Sequence, residues 1–151
     1  MLKITMNYPE REQEQTLARR MIGQESPETT LASGGVRVVI TADDLRFLRQ
    51  QQSVIVIREE LVTYLVDIVR ATRKHESVLV GAGSRATQAL LLASRANAAI
   101  TGRYFVTPDD IKSMAVPVLE HRLILRPEFE IEGLGMVEVI QKILQEIAVP
   151  R

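Results

Sequence analysis

The chain has 151 residues, with 46% hydrophobic and 25% charged, enough for one domain, or for one subdomain plus a connecting segment, with a real core. Its 19 basic and 19 acidic residues cancel, which argues against a general nucleic-acid binder, since such proteins need a positive field to neutralise phosphates. The absence of cysteine excludes disulfides and thiolate metal sites and suits a cytoplasmic protein, and no apolar run approaches the ~20 residues that span a bilayer.

Met1–Met6 alternates apolar and polar residues as an edge strand does, and its expected place is the margin of a larger sheet outside this chain. Glu10-Arg11-Glu12 then opens an amphipathic helix whose apolar positions are Leu17, Met21 and Ile22, ending near Gly23. Gln24–Gly35 is polar, holds Pro27 and Gly34-Gly35, and reads as a loop; Val36–Ile40 reads as a short strand. Thr41-Ala42-Asp43-Asp44 is a helix start, a capping hydroxyl followed by acids at the positive end of the dipole. Val54–Ile57 is extended. From Arg58 to about Thr72, Leu61, Leu65 and Ile68 recur at helical spacing, with Val62 and Val69 beside them.

Val78-Leu79-Val80 is a short apolar run before Gly81-Ala82-Gly83, and Ser84 starts the next helix. Ala86, Ala89, Leu90, Ala93, Ala96 and Ile100 are predicted to line one face of it, and so many alanines let a neighbouring helix come close. Gly102 ends it. Thr107-Pro108-Asp109-Asp110 starts another helix with Ile111, Met114, Ala115, Val118 and Leu119 on its apolar face, and Pro117 predicts a kink or break. Met136, Val139, Ile140, Ile143, Leu144 and Ile147 define the last amphipathic helix. The expected fold is mainly α, a bundle of about five to six helices with minor short extended segments.

No G-x-x-x-x-G-K-S/T run and no strand ending in paired acids occurs, so this chain carries neither a phosphate-cradling loop nor a magnesium-binding acidic pair of its own. His75 and His121 lack ligand-like spacing. His75 reads as a solvated loop residue, and His121 as a cation near a helix end. Gly81-Ala82-Gly83-Ser84-Arg85-Ala86 admits two readings. It matches the dinucleotide-binding pattern G-x-G-x-x-A, with Tyr104-Phe105-Val106 as a second strand and Asp109 as the ribose acid. One isolated βαβ unit cannot bury its sheet, however, and Pro108 assigns Asp109 to a helix start. The other reading is an anion site. A helix N-terminus exposes unpaired N–H groups, and Arg85 in the first turn adds a guanidinium that forks onto phosphate oxygens. The dipole disfavours a cation there, and residues that break a local rule often mark sites.

Gly81–Ala86, Ala96-x-x-Ala99, Gly102-Arg103, Tyr104–Ile111 and Val118-Leu119-Glu120-His121-Arg122 together resemble the C-terminal helical lid of MoxR-type AAA+ ATPases, and Tyr8-Pro9-x-Arg11-Glu12 resembles the segment that enters that lid. In that family a G-A-S-P-R-A run opens a lid helix and its arginine is the sensor 2 residue on the nucleotide phosphates. The resemblance implies that role for Arg85, with Gly83 and Ser84 beside it, although Gly83-Ser84 stands where the family usually has Ser-Pro. It implies residues 1–9 as the end of an AAA+ core and its hinge, and residues 10–151 as the lid. It also implies Mg-ATP bound by that core in the same polypeptide, a ring homo-oligomer, chaperone-like remodelling, and partners carrying von Willebrand factor A domains. No metal ligands, nucleic acid or membrane are expected.

The chain by itself is expected neither to hydrolyse ATP nor to bind it tightly. One exposed Arg–phosphate contact contributes about 0–1 kcal/mol and a helix terminus about 0.3–1, against roughly 4 for millimolar affinity. The competing function is a free-standing helical adaptor that docks protein on the Ala-rich helix or on the last one.

Overall fold

The computed structural model describes residues 2–23 and 25–150; Met1 of the expected edge strand and Gln24 of the expected loop lie outside them. The chain divides into two compact units, Thr5–Leu48 and Met1–Ile4 with Arg49–Arg151.

The smaller unit is helical. Its α1 (Arg11–Ile22) and the start of α3 (Ala42–Gln51) lie where the sequence patterns put them. Thr41 begins α3 as a reciprocal cap: its hydroxyl accepts the Asp44 N–H at 3.1 Å while its own N–H donates to Asp44 Oδ2 at 2.9 Å. Three expectations differ. The stretch read as a loop contains α2 (Pro27–Ala32), whose first turn is secured by Ser26 Oγ accepting the Thr29 N–H. Residues 36–40 form no strand, and neither do residues 2–6. A strand needs a partner for its ladder groups, and neither segment has one among the described residues. None of these three helices has a buried residue; Leu17, Met21, Leu45 and Leu48 all remain exposed.

The larger unit holds the core. Four helices build it: α4 (Glu59–Ala71), α5 (Ser84–Ile100), α6 (Pro108–Leu119) and α8 (Met136–Glu146). Leu61, Leu65, Ile68 and Val69 bury the predicted stripe of α4 against Leu90, Ile111, Val118, Leu119 and Ile140. Each such side chain contributes about 1.5–3 kcal/mol by leaving water. The buried line of α5 is Ala86, Leu90, Ser94 and Ala98, one residue per turn, with Ala89 and Ala93 half-buried beside it. The predicted face was therefore right at Ala86 and Leu90 and wrong at Ile100, which is 85% exposed. Ser94 is tolerated inside because its hydroxyl donates to the Leu90 carbonyl at 2.8 Å.

Gly102 ends α5 with φ +74°, and the N–H groups of Gly102 and Arg103 return to the carbonyls of Ala99 and Ala98. The expected break at Pro117 is absent: α6 runs through it to Leu119. The proline lies in the last turn, where it removes only one helical N–H, and its own carbonyl accepts the Lys3 N–H at 2.8 Å.

Val78–Val80 forms β1, which pairs antiparallel with β2 (Ile124–Leu125), followed by α7 (Pro127–Ile131). Neither β2 nor α7 was legible as a pattern. Val78 and Leu125 join Val139 and Ile143 of α8 in a second small core. Among the described residues no helix is long and apolar enough to cross a membrane.

Candidate functional site

The Gly81-Ala82-Gly83 loop passes directly from β1 into α5, and its path is set by the end of α4. The Thr72 hydroxyl, wholly buried, donates to the Val69 carbonyl at 2.6 Å and accepts the Ala82 N–H at 3.0 Å. Arg73 Nε donates to the Ala82 carbonyl at 2.8 Å. Gly81 permits the approach, since a Cβ there would lie 2.6 Å from Arg73 Cα. Ala82 and Ala86 are both buried, so the first turn of α5 is pinned on either side of Arg85.

Gly83 is the N-cap residue, in ordinary extended backbone, and it has no side chain with which to cap. Ser84 is the first helical residue and makes no capping bond. The Ala86 N–H folds back to the Gly83 carbonyl at 2.9 Å, whereas the N–H groups of Ser84 and Arg85 meet no acceptor among the described residues. Gly83, Ser84 and Arg85 are all exposed. The Arg85 guanidinium has no carboxylate or carbonyl partner among the described residues, so it is not held by the nearby acid that a purely structural arginine requires. Two N–H groups and a guanidinium without partners among the described residues, at the positive end of a 17-residue helix, suit an anion such as phosphate.

The structure separates the two readings of the glycine motif. A dinucleotide-binding unit needs its second strand parallel to the first. Here β1 pairs antiparallel with β2, and Phe105 instead makes an isolated parallel bridge with Val56. Asp109 sits in the first turn of α6, as Pro108 implied. The dinucleotide reading therefore fails on topology.

A second polar cluster closes the other end of α5. Arg103 Nη1 and Nη2 donate to the two carboxylate oxygens of Asp110, each at 2.7 Å, and Asn97 Nδ2 and the Thr107 N–H add bonds at 2.8 Å. Burial opposes the Asp110 charge, but the Arg103, Thr107 and Asn97 donors outweigh it and hold the carboxyl well below the usual carboxylate range. This cluster joins the end of α5 to the start of α6. Its residues lay within quoted motifs, but the pair was not foreseen. Thr72 was also missed, although a hydroxyl continuing the apolar line Leu61, Leu65, Ile68 was a usable signal.

His75 follows α4, where its Nδ1 accepts the Ser77 N–H at 3.2 Å. Desolvation first, and the Arg122 guanidinium second, push the His121 imidazole below its ordinary range, which disfavours the cation expected at that helix end. Among the described residues no cluster of three or more carboxylates and histidines is arranged to hold a metal.

Known proteins align with this arrangement. The AAA lid domain family matches residues 70–147, which takes in the end of α4, the glycine loop and every later helix. The chain is similar to the uncharacterized protein YeaC of Bacillus subtilis (strain 168), at 31% identity over 99% of this chain and 45% of the relative. It is also similar to the chaperone MoxR1 of Mycobacterium tuberculosis (strain H37Rv), at 30% identity over 100% of this chain and 40% of the relative. A crystal structure from Cytophaga hutchinsonii, described as a candidate ATPase, superposes with a TM-score of 0.83 at 29% identity, covering all of this chain and 47% of that one. The chain thus spans less than half the length of these relatives. With the helical architecture, the glycine loop and the family match in agreement, the chain belongs to the AAA lid domain family.

Proposed function

We propose that this lid closes over ATP held by an AAA+ core of the same polypeptide and places Arg85 on the phosphates as the sensor 2 residue. The observation that carries the reading is the exposed first turn of α5, where among the described residues Arg85 has no side-chain partner and the N–H groups of Ser84 and Arg85 meet no acceptor. Bound Mg-ATP supplies the phosphoryl group to be transferred to water. The Arg85 guanidinium would neutralise charge on the phosphate oxygens, and the Gly83 and Ser84 backbone would approach the same oxygens closely. Residues 1–9 act as the end of the core and its hinge, and residues 10–151 as the lid. The relative named as a chaperone supports remodelling of partner proteins as the output. Assembly into a ring, partners with von Willebrand factor A domains and a cytoplasmic location complete the proposal.

The test is an NMR titration of the chain with Mg-ATP and, separately, with NAD. Weak, saturable shifts centred on Gly83–Ala86, given by Mg-ATP only and abolished by Arg85→Ala, are expected. In the full-length ATPase, Arg85→Ala is expected to lower hydrolysis tens-fold, about 2 kcal/mol. Submillimolar ATP affinity of the chain alone, or wild-type turnover in the mutant ATPase, would overturn the assignment.

A further inference from the structure

The Arg85 side chain has no hydrogen bond or ion pair among the described residues, so nothing on it aims the guanidinium. Its direction depends on where the backbone of the first turn of α5 is held. That backbone is held from outside the helix, three residues upstream, by two consecutive residues just after α4. Thr72 takes the Ala82 N–H at 3.0 Å and Arg73 Nε gives to the Ala82 carbonyl at 2.8 Å, so both backbone polar groups of Ala82 are bound to the turn that follows α4. Gly81 lets the two segments touch at backbone distance.

The two clamps differ in weight. Thr72 is wholly buried and Ala82 is 1% exposed, so the Ala82 N–H has no access to water if the hydroxyl is removed. A buried donor without an acceptor is costly, and the loop relieves it by rotating toward solvent. Rotation there carries Gly83, Ser84 and Arg85 with it. Arg73 is exposed, and water can replace its bond.

We propose that Thr72, assisted by Arg73, is the positioning residue for Arg85: its hydroxyl fixes the glycine loop so that the arginine reaches the phosphates when the lid closes. The proposal rests on the reading of Arg85 as a phosphate contact. Thr72 touches no nucleotide. It acts through Ala82, and its effect is felt in the transition state, where misplacement of a charged group by about 1 Å is costly in rate.

The experiment is a double-mutant cycle in the full-length ATPase, with kcat and the KM for ATP measured for each protein. Thr72→Val keeps the side-chain shape and removes the hydroxyl; it is expected to lower kcat roughly tenfold with KM changed by less than about threefold. Thr72→Ser keeps the hydroxyl and is expected to restore kcat to within about twofold. Added to Arg85→Ala, Thr72→Val is expected to cause no further loss. Wild-type kcat in Thr72→Val, or the same fractional loss with and without Arg85, overturns the positioning role while leaving the phosphate contact standing. Wild-type kcat in Arg85→Ala overturns the contact itself and the positioning role with it. Should Thr72→Val fail to fold, Arg73→Leu carries the same cycle, with a smaller loss that must again vanish in the Arg85→Ala background.

Discussion

Arg103 and Asp110 meet as a two-pronged ion pair, with both nitrogen–oxygen distances at 2.7 Å, across the turn that links α5 to α6. Asp110 is 1% exposed, and its carboxylate also accepts the backbone N–H of Thr107, the N-cap of α6. One side chain thus caps a helix, pairs a charge and ties down Asn97 of the preceding helix.

Removing the acid leaves all these donors without their acceptor. Asp110→Ala is therefore expected to lower unfolding free energy by about 3 kcal/mol, the scale for breaking a buried pair from one side. Arg103→Ala should cost less, because the guanidinium is partly in water and the Asn97 amide, the Thr107 N–H and the Thr107 hydroxyl still donate to Asp110. Urea unfolding followed by circular dichroism checks both; an Asp110→Ala loss under about 1 kcal/mol would show that the pair contributes little.

The same pair sets the acid limb of stability. The folded-state carboxyl of Asp110 lies below its unfolded value near 3.8, so its contribution is complete above that value and drains away as the pH falls below it. Asp44, lowered by its hydrogen bonds to Thr41, adds to the same slope. Stability of the wild type should thus decline steadily below about pH 4, and Asp110→Asn should flatten the decline. Parallel wild-type and mutant profiles between pH 2 and 5 would refute the assignment.

Gly83 offers a change in the opposite direction. Its φ and ψ of −81° and 178° suit any residue, and a Cβ there would meet nothing within 4 Å. Gly83→Ser, the residue usual in the resembled motif, gives α5 the capping hydroxyl it lacks. A gain of about 0.5 kcal/mol is expected, and Gly83→Ala, which cannot cap, should gain less. Equal effects of the two would remove capping as the cause.

Gly81 tolerates no such change. A Cβ there would fall 2.6 Å from Arg73 Cα and 2.8 Å from its N, both backbone atoms that cannot swing aside. Gly81→Ala is expected to cost about 1–3 kcal/mol and to speed amide exchange at Ala82 as the loop lifts from Thr72. Unchanged protection at Ala82 would mean that the approach is looser than these distances require.

The sequence by itself determined what depends on neighbours three or four residues apart. The stripe of α4, the caps at Thr41 and Thr107 and the last helix could all be read from spacing and end chemistry, as could the family motifs around Arg85. Only the tertiary structure decided what depends on residues far apart in the chain. Residues 36–40 had the composition of a strand but no ladder partner among the described residues, whereas the two residues of β2 became a strand because β1 lies beside them. The alanines of α5 left its buried face open to several rotations, and close packing against α4 and α6 chose the line through Ser94 and Ala98, leaving Ile100 outside. The Thr72–Ala82 bond is of the same kind: it spans ten residues through β1 and exists because burial leaves the Ala82 N–H no water to bond.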